Sequence, residues 1–98
     1  MTTVTGPASE ISVVEKSNGR FTVEVRTAKS VTTHEVTVPD GYPAILGCGD
    51  ATAADLVAAS FAFLLEREPS TSILRRFELP QIADYFADYP DSVSRYLD

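Results

Sequence analysis

The two side chains with the most chemical reach are Cys48 and His34, and the sequence holds one of each residue type. Cys48 lies in Gly47-Cys48-Gly49-Asp50, a few residues ahead of a segment that reads as helix. A helix N-terminus favours the thiolate and lowers a thiol pKa toward reactivity. A thiolate nucleophile also needs a base. His34 is the one histidine that could serve, and it falls on the third of three strand-like runs, in register with Val36 and Val38. The loop carrying Cys48 would then have to fold back over the sheet. With no motif around either residue, the plainer assignment is a partly buried structural thiol and a strand-end histidine.

Other constellations are thinner. Gly47 to Thr52 could offer backbone N–H groups to an anion at a helix start. The segment has neither the lysine of a P-loop nor the third glycine of a dinucleotide fingerprint, so a turn that aims the helix at the sheet accounts for it better. One His and one Cys cannot close a zinc site, and the carboxylates lack calcium-loop spacing. No metal or cofactor is expected. Asp88 and Asp91 are close in sequence, without an indicated apolar cleft to split their pKa values. Arg67, Arg75, Arg76 and Arg95 are interleaved with Glu66, Glu68, Glu78 and Asp84, a pattern that reads as a solvated face.

The elements that would position these residues begin with strands. Met1 to Ser9 has no apolar period and reads as a flexible tail, leaving residues 10–98 as a single α+β domain. Ile11 to Val14, Phe21 to Arg26 and Thr32 to Val38 are rich in β-branched residues, and Phe21, Val23 and Val25 alternate with Thr22, Glu24 and Arg26. Asn18-Gly19 between the first two runs is the signal for a hairpin closed by a type I′ turn. Pro39-Asp40-Gly41 stops the third strand. The expectation is a small antiparallel sheet of three strands with one dry side.

Thr52, with Asp55 three residues on, caps a helix expected to run to about Glu68, where Pro69 ends it. Leu56, Val57, Ser60, Phe61 and Leu64 form the usual stripe, but Ala58, Ala59, Ala62, Phe63 and Leu65 cover the rest of the cylinder. A helix apolar all round must be sandwiched, by the sheet on one side and by the C-terminal segment or a second subunit on the other. Beyond it, Ser70 or Thr71 caps a turn carrying Ile73, Leu74 and Phe77. Pro80 then opens a helix in which Ile82, Tyr85, Phe86 and Tyr89 repeat before Pro90, and Val93, Tyr96 and Leu97 suggest a last turn. Two or three short helices thus form a layer on the long one. Phe63, Leu65, Tyr85, Tyr89 and Tyr96 make a candidate interaction surface, since aromatic clusters anchor interfaces.

Eight Lys and Arg against fourteen Asp and Glu give a net charge of −6, which repels phosphate backbones and disfavours nucleic-acid binding. The uncharged run Leu56 to Leu65 is about half of the roughly 20 residues a bilayer span requires, and the N-terminus lacks signal-peptide anatomy. One cysteine forms no internal disulfide and suits a reducing compartment, so the cytoplasm is the expected location.

The segment Ser72-Ile-Leu-Arg-Arg-Phe-Glu-Leu-Pro-Gln-Ile-Ala-Asp-Tyr-Phe-Ala-Asp-Tyr89, with Phe61-Ala-Phe-Leu-Leu-Glu-Arg-Glu-Pro69, resembles a family of small uncharacterised bacterial proteins. That resemblance implies a compact cytoplasmic protein and no assigned activity. Gly47, Cys48, Gly49, Asp50 and Thr52, leading from a β-hairpin sheet into a helix, resemble HicB-like antitoxins, which implies an antitoxin-like regulator of a basic partner. The functional expectation is a non-enzymatic interaction or regulatory module acting through its apolar helix and aromatic C-terminus. Its partner would be a second copy, giving a homodimer, or a basic protein. The expectation from a different class is a small thiol-dependent or anion-binding enzyme centred on Cys48.

Overall fold

The computed structural model describes residues 2–5, 9–28, 30–47, 49 and 51–97, with 2–5 and 9 described by backbone. The protein is α+β. Five strands, β1 (Thr2–Thr5), β2 (Ser9–Ser17), β3 (Arg20–Thr27), β4 (Val31–Thr37) and β5 (Arg76–Glu78), follow chain order across the sheet. The first four pair antiparallel and β5 lies parallel to β4, so the sheet is mixed, with two strands more than the three expected.

The added β5 corrects a helical reading. Ile73, Leu74 and Phe77 have helix-like spacing, yet the chain from Arg76 alternates, with Phe77 and Leu79 buried and Arg76 and Glu78 exposed. That period of two fits a strand. Its flanks are fastened where the Glu35 N–H donates to the Arg75 carbonyl at 2.7 Å and the Leu79 N–H to the Thr37 carbonyl at 3.0 Å. A parallel pair needs a long crossover, and residues 38–75 supply it.

The β2–β3 hairpin forms where Asn18-Gly19 predicts, but its turn is not type I′. Gly19 has φ 78°, while no non-glycine among the described residues has positive φ. The register shift between Glu15 and Ser17 accompanies this left-handed glycine, as in hairpins that close with a turn and a bulge. Gly19 is also close-packed: a Cβ there would stand 2.9 Å from the Val38 carbonyl oxygen.

After the short α1 (Tyr42–Ile45), α2 (Ala53–Leu65) is the central helix. Thr52 caps it as expected, its Oγ1 accepting from the Asp55 N–H at 3.0 Å. Its end comes sooner than Glu68. The Glu66 N–H turns back to the Phe63 carbonyl, and those of Arg67 and Glu68 to Leu64, tightening the last turn ahead of Pro69. Both flanks of its middle are covered within one chain: Ala59 and Phe63 are buried, with β1 and β2 on one side and the C-terminal layer on the other.

That layer comprises α3 (Gln81–Tyr85), α4 (Tyr89–Ser92) and 3-10 turns at Ser70–Ser72 and Val93–Tyr96. The stripe from Ile82 to Tyr89 does not lie on one helix. Phe86 is extended, and Pro90 sits in the first turn of α4, where its missing N–H costs nothing, so it starts a helix instead of ending one. No helix among the described residues is long and apolar enough to cross a membrane.

Candidate functional site

His34 is 1% exposed, and both ring nitrogens are engaged. Because the Leu74 carbonyl can only accept, Nδ1 carries the proton and donates to it at 2.8 Å. Nε2 then accepts from the Thr32 hydroxyl at 2.9 Å. The ring also packs on Phe61, with centroids 5.3 Å apart. Burial lowers the imidazole pKa below its usual 6.5, the Leu74 hydrogen bond opposes that, and Arg75 adds to the lowering. His34 is therefore a neutral tie between β4 and the strand-like segment before β5. Cys48 and Asp50 lie outside the described residues, and with Cys48 the thiol site.

The five residues expected as an interaction surface separate into three groups. Phe63 and Tyr89 are fully buried and face each other, ring centroids 5.3 Å apart. Phe86 and Tyr96 close edge-on around Phe63 at 5.9 and 6.0 Å. Leu65 and Tyr96 are half-buried, and Tyr85 alone stands out, 68% exposed. Phe63 and Tyr89 are thus core residues, spent on joining the C-terminal layer to α2. Above this cluster the Arg67 guanidinium lies 3.7 Å over the Phe63 ring and donates to Asp88 at 2.7 Å.

An open cleft of about 300 Å³ lies between the end of α2, the chain approaching β5, and α3. Leu64 and Glu68 form one wall, Ile73, Leu74 and Phe77 the floor and second wall, and Ile82, Tyr85 and Phe86 the third. Leu74, 46% exposed, and Tyr85 stand at its rim. Ser72 and Gln81 add polar groups, and the Gln81 Oε1 accepts from the Glu78 N–H at 2.8 Å, which fixes the start of α3 against β5.

Glu68 is the one charged residue in these walls. It follows two others at the end of α2, and neither of those lines the cleft. The Glu66 carboxylate, together with burial, raises the Tyr96 phenol pKa above its usual 10, while Arg67 pairs with Asp88. Glu68 has no ion pair or side-chain hydrogen bond among the described residues. Charge and apolar surface therefore meet in one concave place, which can take up an apolar group. No group of His, Cys, Asp and Glu among the described residues could hold a metal ion.

Of the cleft, sequence reasoning found Tyr85 and missed the rest. Leu74 carried the available signal, a large apolar residue directly followed by the charged Arg75 and Arg76. Compared with family models, curated proteins and solved structures, the chain matches none.

Proposed function

We propose that the protein is a non-enzymatic interaction module whose binding site is the cleft between α2, β5 and α3. The observation that carries this reading is a largely apolar hollow of about 300 Å³ that brings two of the exposed large apolar side chains, Leu74 and Tyr85, together at one concave mouth, whereas Val14, Val31 and Ile45, also exposed, do not line it. Ligand sites are concave, largely apolar and preformed, with a few polar groups that set orientation, and this volume is at the small end of the usual range of roughly 300–1,000 Å³. One or two bulky side chains of another protein fit such a space better than a whole cofactor. His34 supports a non-enzymatic role, because both its nitrogens are engaged inside the fold, Nδ1 with the Leu74 carbonyl and Nε2 with the Thr32 hydroxyl.

Selection from a random peptide library against the full chain tests the reading. Binders should shift the amide resonances of Leu74, Ile82 and Tyr85 and lose affinity on Leu74→Ser or Tyr85→Ser. Shifts confined to other parts of the surface would remove the cleft from consideration.

A further inference from the structure

Resting on that cleft reading, we infer that its occupant is a basic amphipathic segment of another protein, which places a large apolar side chain against Leu74 and Tyr85 and a Lys or Arg against Glu68. Three observations select this occupant. First, of the three consecutive charges that follow α2, Glu68 alone lines the cleft, without an ion pair or side-chain hydrogen bond among the described residues, while Arg67 is tied to Asp88. A carboxylate beside apolar surface is screened less than one in open solvent, and it favours a cation presented there. Second, the whole chain carries −6, so its field draws a cationic segment and slows an anionic one. Third, the same charge argues against a second copy of this chain as the occupant, because two molecules of −6 would bring like charges together around an already unpaired Glu68.

The neighbouring cations do not cancel this. Arg67 is held by Asp88 and stacked on Phe63, and Arg75, whose charge acts on His34, is not part of the cleft wall. Recognition is therefore two-point. The apolar contact supplies most of the affinity, and Glu68 chooses the sign of the adjacent residue.

The test uses the full chain and two labelled helical peptides followed by fluorescence anisotropy. One carries Leu and Phe on one face with Lys on the other, and the second has Glu in place of every Lys. An apolar dye whose fluorescence rises on binding reports occupancy of the cleft independently of charge. The Lys peptide should bind and displace the dye, with the Glu peptide at least about tenfold weaker. Glu68→Gln should weaken the Lys peptide by about three- to five-fold and flatten its salt dependence, whereas Glu10→Gln, remote on β2, should leave both unchanged. Equal binding of the two peptides, or equal effects of Glu68→Gln and Glu10→Gln, overturns the inference and leaves the cleft reading standing. If the dye fails to bind, or binds Leu74→Ser as well as the parent chain, the cleft reading falls and the inference with it.

Discussion

The Tyr89 hydroxyl stands 2.6 Å from the Ser60 Oγ inside the core, and the Ser60 hydroxyl in turn donates to the Leu56 carbonyl at 2.7 Å, so Tyr89 is the donor to Ser60. This chain of two bonds joins α4 to the middle of α2 across a fully dry contact. Tyr89→Phe keeps the ring and removes the bond to Ser60, and should cost about 1 kcal/mol or more in urea denaturation. An unchanged midpoint would mean that the hydroxyl contact is absent in solution.

Phe63 and Tyr85 separate core from surface. Phe63→Ala empties the centre of the aromatic cluster and should cost about 3–5 kcal/mol, a large share of the roughly 5–15 kcal/mol that holds a domain of this size together. Tyr85→Ser should stay within about 0.5 kcal/mol of the parent. Comparable losses for the two would contradict the burial described for Phe63.

Acid should weaken the fold through His34. Its folded pKa lies below the usual 6.5, so the unfolded chain takes up the proton first as the pH falls. Stability is therefore full above about pH 6.5, declines as pH drops from there toward the lower folded value, and then levels, with a slope of at most about 1.4 kcal/mol per pH unit from this group. Urea midpoints from pH 8 to pH 5 measure it. His34→Gln should flatten the slope in that window, and a slope that survives the substitution would assign it elsewhere.

Thr52→Ala should cost about 1 kcal/mol by freeing the Asp55 N–H at the start of α2, read as a fall in thermal midpoint. Thr52→Asn, which can accept the same bond, should restore most of it.

Gly19→Ala should cost about 1–2 kcal/mol, since a left-handed φ of 78° disfavours any Cβ and the Val38 carbonyl stands in its path. Stability equal to the parent would require the hairpin to close differently.

How much of this was legible in the residues follows from the range of each interaction. Alternation fixed β3 and its dry face, and Thr52 with Asp55 fixed the start of α2, because both signals are local. The need to cover the greasy cylinder from Leu56 to Leu65 was also readable, and the chain itself meets it with the sheet and the C-terminal layer. The parallel pairing of Phe77 with Val36 was not readable, since those residues meet only after the chain has crossed the sheet. For the same reason, a spacing of Ile73, Leu74 and Phe77 that suits one helical turn was misassigned. The cleft was hidden with it: its walls are three elements whose mutual placement depends on that pairing and on the His34 tie to Leu74.

The parallel attachment of β5 has a consequence for the order in which the molecule matures. The hairpins of β2, β3 and β4 close between near neighbours and can form while the rest of the chain is still being synthesised, whereas β5 docks only after α2 has been laid down. Every wall of the cleft comes from residues 64–86. A nascent chain thus owns its hairpins well before it owns a receptor, and the capacity to engage another protein is the last property it acquires.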